Sequence, residues 1–166
     1  MALNIANLKF YQSITAGSLG GAPDFTTEVS GLSDAFWDRI EAAESSSGDV
    51  EYRCMYVRNT STTNALIAPS IELTQGAVDP DTTIHIAVMD NVNVDTVSIA
   101  NEDTEPTGSP SWQAINVDIP FSAQLDFDAG GAGDYVAVWI RRTVVNTNNQ
   151  AANDNYTLSL KGQTIA

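Results

Sequence analysis

The stretch that decides the fold prediction is Gly48-Asp-Val-Glu-Tyr-Arg-Cys-Met-Tyr-Val-Arg-Asn-Thr60, which returns in altered form as Gly131-Ala-Gly-Asp-Tyr-Val-Ala-Val-Trp-Ile-Arg-Arg-Thr143. Both copies share a glycine, an acid, a tyrosine, three residues, an aromatic residue, a β-branched residue, an arginine and a final threonine. Because side chains alternate between the two faces of a strand, each copy places its aromatic residues on one face. We predict two central strands, either neighbours or one in each of two sheets, whose arginines pair with acids at the rim. A chance likeness between strands of similar composition is the alternative.

Hydrophobic residues alternate with a period of two through the rest of the chain after residue 50. This pattern predicts strands at Val50–Arg58, Leu66–Thr74, Thr82–Met89, Thr96–Ala100, Trp112–Ile119, Phe121–Phe127, Tyr135–Val145 and Asn155–Leu160. Loops rich in Asn, Asp, Thr, Gly and Pro separate them, which favours a mainly β fold, an antiparallel β-sandwich or jelly roll. The long stretch without a helical pattern argues against a parallel α/β fold.

The chain before residue 50 predicts two further features. One is a short helix over 33–45, which Ser33 caps and which places Phe36, Trp37 and Ile40 on one side. The other is an extended N-terminal arm over 1–31, with two glycine clusters and at most one or two strands. A neighbouring subunit could order this arm, or the arm could supply the first strand of its own sandwich. Residues 32–166 are predicted to form a single β-sandwich domain.

The charge of the chain restricts its partners. Its 166 residues include 21 Asp and Glu against 7 Lys and Arg, for a net charge of −14. Such an excess of acid repels phosphate, so direct binding to nucleic acid or to an acidic lipid surface is not expected. No run of 18 apolar residues predicts a membrane span, and the first residues lack the basic and apolar segments of a secretory signal. We therefore expect synthesis inside a cell, with Cys54 a reduced core thiol.

No catalytic constellation emerges from the sequence, and we predict a protein that is not an enzyme. His85 is placed outward on its strand together with Ala87 and Met89, and no motif marks a nucleophile that would work with it. Cys54 lies within a strand, away from any predicted helix N-terminus that would lower the pKa of its thiol. A hydrolase would need two carboxylates facing one cleft, and with 21 acids any chosen pair is arbitrary.

Calcium is the only metal that the sequence brings into question. Asn91, Asn93, Asp95 and Glu102 have the spacing of an EF-hand loop, but Thr96 stands where that loop requires glycine. Looser sites are conceivable among the following acids: Asp79, Asp81, Asp90, Asp126 and Asp128. Solvated turn acids are the simpler interpretation, and no cofactor or metal is predicted.

Two segments carry a resemblance to a known group of proteins. They are Phe36–Thr60 and the stretch from Asn101–Gly108 to Gly133–Val144, with Asn153–Tyr156 beyond it. Together they resemble a group of small structural proteins from tailed bacteriophages and prophages, over residues 33–160. The shared motifs are structural, so the resemblance implies a class of virion protein and brings no catalytic residues with it.

The resemblance implies a non-enzymatic virion protein made in the cytoplasm of the host bacterium. We expect a capsid decoration or cement protein that binds between subunits of the major capsid protein and assembles as a homo-oligomer. A tail, neck or baseplate component is the first alternative, and a carbohydrate-binding adhesion module that uses Trp112, Phe121 or Trp139 is the second. The predicted contact residues are Phe10, Tyr11, Arg58, Arg141 and Arg142. The two adjacent arginines either bind acids of a partner or neutralise part of the chain's own acid.

Overall fold

The computed structural model describes residues 7–29, 37, 46–77, 80–89, 91–108, 111–128, 133–146 and 156–164. Within these residues the fold is mainly β, with two antiparallel sheets arranged as a sandwich. The strands are β1 (Leu8–Ser13), β2 (Pro23–Glu28), β3 (Asp49–Asn59), β4 (Leu66–Gln75), β5 (Thr82–Val88), β6 (Asp118–Pro120), β7 (Tyr135–Val144) and β8 (Thr157–Thr164). A 3-10 turn at Ala16–Ser18 follows β1. None of the described helical turns is long and apolar enough to cross a membrane.

The larger sheet has five strands in the order β2-β1-β3-β7-β5, and the smaller sheet has the order β6-β4-β8. The two copies of the repeated motif form β3 and β7, which are neighbours at the centre of the larger sheet. Their antiparallel register places Tyr52 opposite Arg141 and Arg58 opposite Tyr135. In the motif these tyrosines are equivalent to each other, as are the two arginines. The strand pair therefore has a local pseudo-twofold axis between β3 and β7.

One face of the larger sheet packs against the smaller sheet. Aliphatic side chains of β3, β5 and β7 meet those of β4 and of the segment that follows β6. This cluster contains Met55, Val57, Leu66, Ile71, Leu73, Ile84, Ile86, Val88, Phe121, Leu125, Val136, Val138 and Ile140. Burial of an aliphatic side chain contributes about 1.5–3 kcal/mol, so this layer is the main source of stability.

The opposite face of the larger sheet is covered by loops. The aromatic side chains of the two central strands lie here, as the motif predicts, in a cluster of Tyr11, Tyr52, Cys54, Tyr56, Ile99, Ala137 and Trp139. Trp139 and Cys54 are fully buried. Ala87, predicted to face outward, is also fully buried. That prediction was wrong because it assumed a two-layer sandwich, whereas loops form a third layer over this face.

Three predicted strands after β5 are mostly absent from the described fold. The segment 96–100 makes a single bridge, between Ser98 and Gly20, and otherwise serves as cover for the aromatic face. The segment 112–119 bridges β5 only at Gln113, then turns at Asn116, whose φ of 63° interrupts an extended strand. The segment 121–127 bridges β4 only through Leu125. Alternation did not identify the buried side chains of these segments, since the apolar side chains of Val97, Ile115, Val117 and Phe127 are exposed. Apart from the short strand β6, which includes the last two residues of the segment 112–119 and pairs with β4, these segments make single bridges in place of ladders.

Three further predictions concern the last strand, residues 33–45 and the first 31 residues. β8 covers Thr157–Thr164, later than the predicted Asn155–Leu160. Most of the predicted helix over 33–45 lies outside the described residues, with Trp37 the exception. Both described strands of the first 31 residues belong to the molecule's own larger sheet, where β1 pairs with β3 and β2 pairs with β1.

Close backbone contacts fix how the loops cover the sheet. Gly20 has φ of 85°, and a Cβ at this position would lie 2.0 Å from the carbonyl oxygen of Val97 and 2.9 Å from the Trp139 ring. Gly133, two residues before β7, is equally constrained because a Cβ there would lie 2.0 Å from the carbonyl oxygen of Asn59. Only glycine permits both contacts without a shift of the backbone.

Candidate functional site

The aromatic face of the larger sheet holds two loops in place through Tyr56. Its hydroxyl donates a hydrogen bond to the carbonyl of Gly21 and accepts one from the backbone N–H of Thr96 at 3.0 Å. The indole of Trp139 donates to the Thr96 hydroxyl at 2.9 Å. Burial raises the pKa of Tyr56 well above its usual range, which keeps the hydroxyl protonated and able to donate.

The two loops that Tyr56 joins carry exposed aliphatic side chains. Ile14 is 69% exposed, Val94 49% and Val97 38%, and we call these three residues the loop patch. Other exposed aliphatic or aromatic side chains lie elsewhere, at Ile115, Val117, Phe127 and Val145. Isolated apolar side chains are normal on a surface, but several on two loops that are joined by hydrogen bonds are suited to contact with another protein.

The predicted contact residues Phe10 and Tyr11 lie in β1 and serve the protein's own packing. Tyr11 is buried in the aromatic cluster and meets Phe25 edge to face, with ring centroids 5.4 Å apart. Phe10 is half-buried and packs against the aliphatic layer.

Arg58 lies at the end of β3 within a group of its own chain's residues. Its guanidinium lies over the Phe25 ring, 4.2 Å from the centroid, and its Nη2 is 3.6 Å from a carboxylate oxygen of Asp128. Phe25 in turn meets Tyr135 edge to face. The next strand carries Lys9 directly beside Arg58, and Lys9 forms an ion pair with Glu28 at 2.7 Å.

Arg142 and Arg141 are adjacent in β7 and point to opposite faces of the sheet. Arg142 is almost completely buried between the sheets, where its Nε donates to the equally buried carboxylate of Glu51. Its guanidinium also lies 4.8 Å from the Trp37 ring centroid. Arg53 also lies over the Trp37 ring, 5.6 Å from the centroid, and forms an ion pair with Glu102. Arg142 therefore neutralises an acid of its own chain, one of the two alternatives left open by the sequence.

Arg141 lies on the aromatic face, in a row of three residues contributed by three strands. The antiparallel register places Tyr52 of β3 on one side of it and His85 of β5 on the other. The Trp112 ring covers the row, with its centroid 5.1 Å from the Arg141 guanidinium carbon and 5.6 Å from the Tyr52 ring. The Trp112 indole donates to Glu105 at 2.9 Å.

Burial and neighbouring charges shift the pKa values of His85 and Tyr52. Burial, followed by the positive charge of Arg141, lowers the pKa of His85. Burial and the nearby Glu105 carboxylate raise the pKa of Tyr52, while Arg141 opposes this rise. At neutral pH both groups are therefore uncharged, and Arg141 is the cation of the row.

The remaining candidates from the sequence occupy structural positions. Cys54 is fully buried, and burial raises the pKa of its thiol well above the usual range, which disfavours the thiolate. Trp139 and Phe121, two of the three candidate sugar platforms, are buried in the core layers. Trp112 is half-buried and already stacked on Tyr52.

The acidic turns that raised the question of calcium are organised by hydrogen bonds. The Asp134 carboxylate accepts from the Asn93 side chain and from the backbone N–H of Asp126, and Asp95 accepts from the Tyr135 hydroxyl at 3.0 Å. Among the described residues no group of three or more His, Cys, Asp or Glu is arranged to hold a metal ion. Asp79 and Asp90 lie outside the described residues.

Both copies of the motif carry an arginine near the end of the strand, so the sequence alone was enough to identify the arginines as candidates. It missed Trp37, Phe25 and Trp112 as the rings that cover the arginines, because nothing in local spacing shows which loop lies over which strand. Comparison with protein-family models, with curated protein sequences and with solved structures finds no match to this chain.

Proposed function

We propose that this protein is a non-enzymatic structural protein of a tailed-bacteriophage virion, and within that class a capsid decoration protein. The observation that carries the proposal is the position of the segments that resemble phage structural proteins. Two of them, around residues 48–60 and 133–144, form the central strands β3 and β7. Their aromatic and aliphatic side chains are used in the two core layers, so what the resemblance captures is a scaffold for a small β domain.

The distribution of charge supports an outward-facing position on the particle. Four of the described basic side chains lie within 4.0 Å of a carboxylate on the larger sheet and its loops, namely Lys9, Arg53, Arg58 and Arg142. Lys161 contacts both Glu72 and Asp118 on the smaller sheet. Intramolecular pairing of the few basic groups leaves the acid excess unopposed at the surface, which suits a location away from packaged DNA.

The loop patch is the surface that we assign to contact with the capsid. Ile14, Val94 and Val97 project from two loops that Tyr56 and Trp139 hold together. A surface whose loops are already held in place loses little conformational entropy on binding. A small interface is then sufficient, because the capsid lattice repeats the binding site many times.

The test is binding to particles from which accessory proteins have been removed. Purified capsids and purified tails are incubated separately with the protein, and bound protein is measured by co-sedimentation. We expect binding to capsids and a rise in the temperature at which they release DNA. Binding to tails without binding to capsids would contradict the decoration role and indicate a tail, neck or baseplate component.

Matched variants test the contact surface in the same assay. We expect Ile14→Ser to weaken capsid binding at least about tenfold, the result of losing roughly 1.4 kcal/mol of buried apolar contact. Val145→Ser is the control, because Val145 is also exposed but lies outside the loop patch. Equal binding of both variants and the wild type would show that the loop patch does not contact the capsid.

A further inference from the structure

The pseudo-twofold axis between β3 and β7 relates two clusters of similar composition on the aromatic face. In the first cluster, Arg58 lies beside Tyr135, and the Phe25 ring contacts both the Tyr135 ring and the Arg58 guanidinium. In the second, Arg141 lies beside Tyr52, and Trp112 contacts both. Because Arg58 and Arg141 occupy equivalent positions, the groups around one arginine can be compared directly with those around the other.

The first cluster contains acids that the second does not. Arg58 has the Asp128 carboxylate at 3.6 Å, and its neighbour Lys9 has Glu28. In the second cluster the residue beside Arg141 is His85, in the position that Lys9 occupies beside Arg58. Among the described residues no carboxylate lies within ion-pairing distance of Arg141. The Glu105 carboxylate, which acts on Tyr52 of the row, accepts a hydrogen bond from the indole of Trp112.

Two nitrogen atoms of the second cluster lack hydrogen-bond partners among the described residues. They are Nε of Arg141 and Nδ1 of His85, which are both shielded from solvent. Nε of Arg58 in the first cluster also lacks a partner, so the clusters differ in the carboxylate near Arg58 and in the unpartnered nitrogen of His85. Their residues are direct cross-strand neighbours, so the two side chains lie side by side on one face. The two oxygens of a carboxylate can accept from two such neighbouring N–H groups at once.

We propose that Arg141 and His85 form a binding site for a single carboxylate group, supplied by an acidic side chain of another protein molecule. One oxygen accepts from the Arg141 guanidinium and the other from the imidazole of His85. Trp112 lies over the guanidinium and moves aside to admit the group. The bound carboxylate supplies Arg141 with the negative charge that Asp128 supplies to Arg58 in the first cluster. The site does not depend on the virion role, because carboxylate binding is measured on the isolated protein.

Binding of a carboxylate should be coupled to protonation of His85. The charged group that acts on His85 is Arg141 on β7, with the titratable Tyr52 of β3 beyond Arg141. Glu105 acts on Tyr52 and accepts a hydrogen bond from Trp112. Without a bound anion, burial and Arg141 disfavour the imidazolium form. An added carboxylate stabilises that form, so binding should tighten as the pH falls towards the pKa of His85.

The experiment uses the imidazole signals of His85, which are unambiguous in NMR spectra because the chain has one histidine. The full-length protein is titrated with pH in sodium acetate and in sodium chloride of equal ionic strength. We expect acetate to raise the apparent pKa of His85 by about half a unit to one unit with saturation. An unchanged pKa, or a rise without saturation, would overturn the proposal.

Variants and a second anion sharpen the result. Arg141→Gln should abolish the effect of acetate, whereas Arg58→Gln, at the equivalent position of the first cluster, should retain it. Arg141→Lys should retain part of it, and amide spectra identify any variant that has not folded. If inorganic phosphate raises the pKa of His85 as much as acetate does, the site does not select carboxylates and the assignment is wrong.

Sedimentation distinguishes the two sources of the carboxylate. If a second copy of this chain supplies it, the wild type self-associates, and both Arg141→Gln and added acetate reduce that association. If the wild type remains monomeric while acetate still shifts the His85 titration, the group belongs to a different protein. Loss of capsid binding in Arg141→Gln would then identify the capsid as its source.

Discussion

Glu51 and Arg142 form a buried ion pair on which the stability of the fold depends. The pair lies between the two sheets, and both side chains are almost completely shielded from water. Removing one partner takes an opposite charge away from the other, which stays buried, and this costs more than replacing both. The repeated motif does not mark this position, because the first copy carries Asn59 where the second carries Arg142. The cost of losing Arg142 depends on a burial that the second sheet and Trp37 create.

The first prediction concerns this pair. Arg142→Met should lower the free energy of unfolding by about 3–5 kcal/mol, measured by denaturant titration, because Glu51 is left charged and buried. The double variant Glu51→Leu/Arg142→Met should recover most of the loss. A double variant as unstable as the single one would show that packing against Trp37, and not the charge, accounts for the effect.

The second prediction concerns His85 and pH. Its pKa in the folded protein lies below the ordinary value of 6.5, so the unfolded chain takes up a proton at a higher pH than the folded chain. The contribution of His85 to stability is therefore complete above pH 6.5 and declines as the pH falls, until the folded imidazole is protonated too. Replacing His85 with Asn should remove this part of the pH dependence.

Its measurement compares the wild type with His85→Asn by denaturant titration in chloride buffers between about pH 7.5 and pH 5. The acids contribute to the slope in both proteins, so the difference between them isolates the histidine. Parallel pH profiles would contradict the prediction.

At the scale of elements, the third layer is formed by loops whose positions depend on a few polar contacts. Tyr56 reaches from β3 to Gly21 and Thr96, and the fold therefore uses its hydroxyl to tie two loops to the central strand. Alternation along β3 predicted that Tyr56 is buried, yet it could not predict which backbone groups the hydroxyl meets. Those groups are 35 and 40 residues away in the chain.

The third prediction follows from this contact. Tyr56→Phe should cost about 1–3 kcal/mol of unfolding free energy, because the amide of Thr96 loses a buried partner. Hydrogen exchange at Thr96 should accelerate more than exchange within β3. Tyr11→Phe is the control, since no hydrogen bond of the Tyr11 hydroxyl is seen within the described part of the chain, and it should leave Thr96 unaffected.

The fourth prediction compares two glycines with positive φ. Gly20 and Gly108 have φ of 85° and 78°, but only Gly20 has atoms within 4 Å of an added Cβ. Gly108→Ala should therefore show the cost of the backbone conformation alone, about 1–2 kcal/mol. Gly20→Ala should lose about 1–3 kcal/mol more by thermal or chemical unfolding, because the loop must move away from Trp139. Equal losses would mean that the loop adjusts without strain.

At the scale of the whole molecule, the net charge of −14 dominates how copies meet. Like-charged surfaces repel, and the Debye length falls from about 30 Å at 0.01 M salt to about 8 Å at 0.15 M. The arrangement of the basic groups accentuates this effect, because the described lysines and most of the described arginines are already paired within the chain. Contact with another copy therefore depends on shape, on apolar side chains and on screening.

The fifth prediction is that assembly on capsids weakens at low ionic strength and on removal of divalent cations. Co-sedimentation at about 0.01 M and 0.15 M salt should show more bound protein at the higher concentration. Tighter binding at low salt would indicate that a basic capsid surface attracts the acidic protein. Indifference to both salt and divalent cations would place the acids away from the contacts.

The sequence by itself determined the β class, the two central strands and the residues of those strands that are buried. It did so because side-chain alternation is a local property and because the repeated motif marks the two strands with the same pattern. It also determined the acidic character of the surface, since the pairing of 7 basic residues cannot offset 21 acids.

The tertiary structure alone decided that the two copies pair with each other and that loops cover the second face. It also decided that Arg58 meets Asp128 while its counterpart Arg141 meets no carboxylate of the described chain. These features join residues distant in sequence, so no local pattern records them. They depend on the register between strands and on which loop crosses which face, and both are set only when the whole core packs.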